Sequence, residues 1–224
     1  MRLLAVIPAY NEAASIQRVV ADTIPFVDTV LVVDDGSRDD TATLARQAGA
    51  QVHAQPRNMG KGAALQAGMD YCLEHGFDVA VTLDADGQHE PRSIPDLAEP
   101  IRSGRADMSV GSRKQQMSTH MPFIRRFTNR FMSWMLGLVA GQPMEDTQSG
   151  YRAISAPVLR GVRVSSSHFE AESEFLLKAA RLGFRIAWIP IATIYGGRPS
   201  HIHPIHDTAR FFRMMWNVLR APSA

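Results

Sequence analysis

The sequence predicts an α/β fold, a mostly parallel sheet flanked by helices, and three observations carry that prediction. Short apolar runs alternate with helical patterns through the first half of the chain, the order expected of right-handed βαβ units. Gly49, Gly76, Gly104 and Gly183 each fall where a helix should end. Three of the expected strands finish in polar or acidic residues, and in a parallel sheet ligands gather beyond the carboxyl ends of the strands.

The elements follow in order. LLAVIPA reads as the first strand, and a helix is expected from about Glu12 to Thr23. TVLVVDD is the second strand, and Asp40 to Ala48 is the next helix, with Ser37 three residues ahead of Asp40 at capping-box spacing. A third helix is expected from Lys61 to His75, followed by the strand and turn DVAVTLDADG. Beyond residue 105 the pattern changes. A strand near Met108 to Val110 leads into Gly111-Ser112-Arg113 and a basic, apolar helix from Phe123 to about Val139. DTQSGYR, a helix from Glu172 to Leu182, the strand RIAWIPI, a Gly-Pro-His loop and a helix from about Asp207 to Leu219 complete the chain. One domain is expected over residues 1–224, with a ligand-binding half (1–105) and an acceptor half (106–224).

Composition bounds the function. The chain has 224 residues, 45% of them hydrophobic, and a formal charge of +2, so no bulk basicity points to nucleic acid. The lone cysteine, Cys72, excludes an internal disulfide and by spacing belongs to an apolar helix face. MRLLAVIPAY stops at Pro8, too soon for a secretion signal, and no run approaches the roughly 20 apolar residues of a membrane span. The protein is expected to be cytoplasmic and not to cross a membrane.

The acidic edge carries the chemistry. Glu12, Asp34, Asp35, Asp84 and Asp86 follow the ends of three strands, and turn or cap roles explain any one loop alone. Asp84 and Asp86, one residue apart, suit Mg²⁺ or Mn²⁺ completed by substrate phosphate oxygens. A cation held there would neutralise charge on a departing nucleoside diphosphate. His89 is a weaker candidate ligand. Asp34 and Asp35 are suited to accept from a base or from ribose, and Asn58-Met59-Gly60-Lys61-Gly62 opens a helix toward anionic phosphate. Neither a Walker loop nor a Gly-x-Gly-x-x-Gly after the first strand is present.

IPAYNE, VVDDGSRDDT, NMGKGAAL, LDADGQH, GSR and DTQSGYR, in this order, resemble the family 2 glycosyltransferases of GT-A fold, a Rossmann-like architecture, and within them the polyprenyl-phosphate (dolichyl-phosphate) mannosyl- and glucosyltransferases. The resemblance implies a nucleotide pocket lined by Pro8, Tyr10, Glu12 and Asp35 with Lys61 nearby, a DXD pair Asp84 and Asp86, and Gln88 close to metal and sugar. Arg113 and Arg126 would hold the acceptor phosphate, Arg152 closes the DTQSGYR motif with them, and Asp146 would sit near the reacting carbon. DTQSGYR leans toward the glucosyl branch. The loop after Ile194-Tyr195-Gly196 would close over the diphosphate with Ser200 and His201, which outweighs a zinc reading of His201, His203 and His206.

The implied activity is transfer of a hexose from a UDP- or GDP-linked donor, with inversion, to polyprenyl phosphate. A lipid phosphate needs little base catalysis; a hydroxyl acceptor would need Asp146, or behind it Glu172 or Glu174, which otherwise read as acids opening a helix. Relatives carry transmembrane helices after the catalytic domain, and none is visible here. The helix from Phe123 holds Arg125, Arg126 and Arg130 beside Phe131 and Trp134, and the final helix is similarly basic and aromatic. Such helices can lie in the headgroup layer of a membrane's inner face, or pack on the sheet or on a twin subunit in a homodimer. A nucleotidyltransferase lacks its Gly- and Arg-rich phosphate loop here, and a non-catalytic sugar-nucleotide-binding protein would not need Asp84, Asp86 and Asp146 together.

Overall fold

The computed structural model describes residues 1–113, 123–164, 170–192, 215, 216, 218 and 220, with the side chains of 123–130 and 170 left aside. Its strands are β1 (Leu3–Ala9), β2 (Thr29–Asp34), β3 (Gln51–Ala54), β4 (Val79–Thr82), β5 (Met108–Ser112), β6 (Arg152–Ser155) and β7 (Ile186–Pro190). Its helices are α1 (Ile16–Thr23), α2 (Thr41–Gln47), α3 (Lys61–Glu74), α4 (Ile94–Arg102), α5 (Phe123–Ala140), α6 (Ala156–Gly161) and α7 (Glu170–Arg181). The strands form one sheet in the order β3-β2-β1-β4-β6-β5-β7. β6 alone among these runs against its neighbours β4 and β5; every other pairing is parallel.

The central strand shows why the sheet is covered on both faces. Leu4, Ala5, Val6 and Ile7 have no solvent exposure, and their side chains divide by the two-residue period of a strand. Leu3, Ala5 and Ile7 join a core with Ile16, Val20, Ala45, Ile94 and Leu97 from α1, α2 and α4. Leu4 and Val6 join the opposite core with Ala64, Met69 and Cys72 from α3, Val158 from α6 and Phe175 from α7. α3 lies so close to β1 that a Cβ on Gly68 would stand 2.2 Å from Val6 Cγ1. Cys72 is fully buried, as its spacing predicts, and its thiol is pushed up to about 12, by burial first and by the Asp78 carboxylate second.

Several expectations are corrected. The expected Glu12–Thr23 helix begins at Ile16, because residues 12–15 form a turn in which Glu12 O accepts from Ser15 N and Ile16 N. The Ser37–Asp40 capping box does not form. Ser37 Oγ accepts instead from Asn11 N at 2.9 Å, and Asp39 Oδ1 accepts from Thr41 N at 3.1 Å at the start of α2. β3, β6 and α6 were not anticipated from sequence. The four helix-ending glycines take positive φ, as expected. The final helix from about Asp207 lies largely outside the described residues.

Among its described side chains, those of residues 131–140, α5 packs by one stripe. Met132 and Leu136 join Met144, Leu177, Ala180, Met215 and Val218 in a third core, whereas Phe131, Trp134 and Leu138 are exposed, Leu138 to 64%. No helix among the described residues is long and apolar enough to cross a membrane.

Candidate active site

The neighbouring strands β2, β1 and β4 are parallel, so the loops that follow them share one edge. The first two loops are bound to each other. Arg38 N donates to Asn11 Oδ1 (2.9 Å) and Glu12 N to Thr41 Oγ1 (2.8 Å), which fixes the chain around Tyr10 and Glu12. Tyr10 is exposed at this edge and Pro8 and Glu12 are half-buried, and Glu12 Oε2 accepts from Ser15 Oγ at 2.8 Å.

The second loop sets the third helix. Asp35 is buried, and its two carboxylate oxygens accept from Met59 N (2.7 Å) and Gly60 N (2.8 Å). It therefore pins the turn that delivers Lys61 rather than offering an open carboxylate to a ribose. Asp34 is also buried and accepts from Ser37 N at 3.0 Å.

At the third loop, Lys61 Nζ lies 2.7 Å from Asp84 Oδ1 and 2.8 Å from Glu172 Oε1 of α7. Burial disfavours charge on both members of the Lys61–Asp84 pair. Their mutual attraction, with Glu172 assisting the lysine, overcomes it and leaves Lys61 well above and Asp84 well below its ordinary pKa. Asp86 behaves differently. Its Oδ1 accepts from Gln88 N at 2.9 Å, and its pKa is raised, by burial above all, with the Asp84 and Glu12 carboxylates adding repulsion.

His89 is buried against Tyr151, ring centroids 4.9 Å apart, and its Nδ1 accepts from Asp84 N at 3.1 Å. That bond places the ring proton on Nε2, 3.8 Å from Asp84 Oδ2. Neither nitrogen is left with a lone pair for a cation, so His89 supports Asp84 and is not a ligand. Burial also depresses its pKa and keeps it neutral.

Among the described residues no three His, Cys, Asp or Glu side chains converge as a metal cage. The donor set still fits a hard divalent ion, because Mg²⁺ and Mn²⁺ complete their shells with water and phosphate oxygens. Asp86, whose charge is opposed by its surroundings, is the carboxylate a cation would relieve most.

DTQSGYR closes the site from the β6 side. Asp146 is fully buried, and Arg113 grips it with Nε to Oδ2 (2.7 Å) and Nη2 to Oδ1 (2.9 Å). Arg152 departs from the expectation of an acceptor contact. It is 3% exposed and donates to the carbonyls of Ser149 (2.8 Å), Glu172 (2.8 Å) and Thr147 (3.1 Å), holding the loop's shape. Gly150 has a steric reason: a Cβ there would meet Glu172 Oε1 at 2.9 Å and Lys61 Nζ and Asp84 Oδ1 at 3.2 Å. Glu174 is buried and pairs with Lys178 at 2.5 Å. The side chain of Arg126, and Ser200, His201, His203 and His206, lie outside the described residues.

Residues 4–153 match the model of the family described as Glycosyl transferase family 2. The chain belongs to that family. Among its relatives, an undecaprenyl-phosphate mannosyltransferase of Micrococcus luteus is 35% identical over 87% of this chain and 84% of its own. A UDP-N-acetylglucosamine–dolichyl-phosphate N-acetylglucosaminyltransferase of Methanococcus voltae is 33% identical over 85% and 84%. Glucosyl-3-phosphoglycerate synthase of Mycobacterium tuberculosis, solved in complex with UDP, superposes with a TM-score of 0.75 at 24% identity, over 97% of this chain and 79% of that one. The same enzyme with Mn²⁺, UDP-glucose and phosphoglyceric acid gives 0.71 at 22% identity, over 99% and 80%. These likenesses bear on the fold, and they agree with the GT-A architecture the motifs imply. The protein is thus a family 2 glycosyltransferase.

The sequence pointed to the strand-end carboxylates but not to the pairing of Lys61 with Glu172 or of Arg113 with Asp146. The one local signal was Gly150, a glycine just after the Asp146–Ser149 turn, where the missing side chain allows the close approach of Glu172, Lys61 and Asp84.

Proposed function

We propose that this glycosyltransferase moves a hexose from a UDP- or GDP-linked donor to polyprenyl phosphate, with inversion, using Mg²⁺ or Mn²⁺. The relatives named for undecaprenyl- and dolichyl-phosphate support the acceptor. One geometric observation carries the choice of a phosphate over a hydroxyl: Asp146, the first candidate base, is fully buried with both oxygens gripped by Arg113. A carboxylate so held is a poor proton acceptor. A lipid phosphate is already anionic and needs none.

Pro8, Tyr10 and Glu12 would line the nucleotide pocket, and Asp35 would hold Lys61 toward the diphosphate. Asp84 and Asp86 would hold the cation, with Gln88 beside the sugar. Bound there, a divalent ion supplies neutralisation of the charge growing on the leaving diphosphate. Arg113, oriented by Asp146, and Arg126 would align the acceptor phosphate, since a planar guanidinium gives paired charge-assisted bonds. Attack from the face opposite the leaving group inverts the anomeric centre, and positioning with charge stabilisation supplies most of the rate. The exposed Phe131, Trp134 and Leu138 stripe of α5 supports peripheral contact with the membrane that carries the acceptor.

The test is direct. Purified protein with Mn²⁺, undecaprenyl phosphate in detergent, and UDP-glucose, UDP-N-acetylglucosamine or GDP-mannose in turn should release nucleoside diphosphate and form a lipid phosphosugar detectable by mass spectrometry. Its anomeric configuration, read by NMR, should be opposite to the donor's. Release that ignores the lipid, or transfer to a hydroxyl, contradicts the reading.

A further inference from the structure

Lys61 occupies a position that a cation would otherwise take. It is the first residue of α3, at the helix end suited to anions, yet its ammonium sits between two carboxylates, 2.7 Å from Asp84 and 2.8 Å from Glu172. The two carboxylates differ. The Glu172 side chain is 6% exposed, whereas those of Lys61 and Asp84 are 27% and 31% exposed and open toward the edge. Glu172 is a fixed post, because Arg152 Nη1 holds its carbonyl at 2.8 Å and Gly150 leaves its carboxylate just enough space.

We propose that Lys61, anchored by Glu172, is the resident cation of the Asp84 carboxylate in the nucleotide-free protein, and that Asp84 is released to a divalent ion only when a nucleoside diphosphate draws the ammonium onto its phosphate oxygens. This rests on Asp84 and Asp86 forming the cation site of the proposed reaction. A divalent ion beside Asp84 would stand within a few ångströms of the lysine charge, and like charges at that distance repel strongly in a partly buried site. A lysine suits the exchange, since its compact charge rides on a flexible stem and can pass from carboxylate to phosphate. Glu172 is then a positioning residue that returns the ammonium to Asp84 when the nucleotide leaves. The arrangement makes cation loading depend on donor and gives α7, in the acceptor half, a direct hold on the donor site.

Mn²⁺ binding to the intact chain without nucleotide, followed by electron paramagnetic resonance, tests the assignment with no need for turnover. Lys61→Gln should bind Mn²⁺ at least about tenfold more tightly than the unmodified protein, and Lys61→Arg should match the unmodified protein. The double variant Lys61→Gln/Glu172→Gln restores the original formal charge and removes the buried carboxylate left without its partner. It should keep the gain, and it covers the case in which the single variant folds poorly. No gain in Lys61→Gln and the double variant, or a gain lost in the double variant, overturns the proposal; the latter result would reduce it to bulk charge. A parallel titration with UDP and with GDP separates the two levels. If Mn²⁺ uptake with nucleotide is indifferent to Asp86→Asn, the cation site itself is wrong and both readings fall; if it depends on Asp86 but Lys61→Gln gains nothing, only the role of Lys61 falls.

Discussion

Gly150→Ala adds one methyl group at the centre of the site. The backbone of Gly150 is not in the left-handed region, so alanine brings no conformational penalty and the effect isolates the contact. The new Cβ would stand 2.9 Å from Glu172 Oε1 and 3.2 Å from both Lys61 Nζ and Asp84 Oδ1. A carbon and an oxygen need a few tenths of an ångström more, and Glu172 has no open side to retreat to because it is buried. Overpacking of this kind costs about 1–3 kcal/mol. For a chain of this size each kcal/mol lowers the melting temperature by roughly 2–4 °C. Displacement of the Lys61 and Asp84 groups should also cut donor turnover, by about tenfold or more, given how steeply rate depends on placement. Melting followed by circular dichroism and nucleoside diphosphate release measure the two effects. Shortening the carboxylate with Glu172→Asp in the same chain should restore part of the lost stability, read as a favourable coupling in a double-mutant cycle. A melting temperature and turnover both unchanged in Gly150→Ala would refute the packing of these three charges around residue 150.

Asp146→Asn removes the negative charge and one of the two oxygens that Arg113 grips and should cost about 1.5–3 kcal/mol, the worth of hydrogen bonds to a charged group, while raising KM for the lipid phosphate more than KM for the donor. Because the Asp84 pKa is depressed in the folded protein, its contribution to stability is complete above the unfolded carboxylate value of about 3.9 and is lost as pH falls through the folded value. Urea unfolding between about pH 5 and 2 should show that loss, and Lys61→Gln should flatten it. Cys72, buried and with its thiol pushed up to about 12, should resist thiol reagents at pH 8 in the native protein and react once urea is added. Gly68→Ala should destabilise, because a Cβ 2.2 Å from Val6 Cγ1 outweighs the helix-propensity gain of about 1 kcal/mol, and calorimetry would show the sign.

The parts of the fold legible in the sequence are those whose signal is local. β1, β2 and β4 are short apolar runs because both faces of the inner sheet are covered, and α3 and α5 carry helical spacing over many residues. β3 is short, at the sheet edge and mostly exposed, so QVHA has neither the alternation nor the apolar run that marks a strand. β6 runs antiparallel between β4 and β5, a pairing fixed by distant partners and invisible in RAIS itself. The candidate site divides in the same way. Its acids stand at strand ends and were readable as turns with chemistry. That Asp35 spends its oxygens on Met59 and Gly60, or that Arg152 faces three carbonyls rather than an acceptor, depends on loops meeting across the fold. No spacing within one segment encodes such meetings.

Everything proposed for the reaction depends on a cation linking Asp86 to the two phosphates of the donor. Calorimetric titration of UDP and GDP, with and without Mn²⁺, into the unmodified protein and into Asp86→Asn measures this directly. At least one nucleotide should bind the unmodified protein far more tightly when Mn²⁺ is present, and Asp86→Asn should erase that enhancement. Equal enhancement in the two proteins would contradict the account.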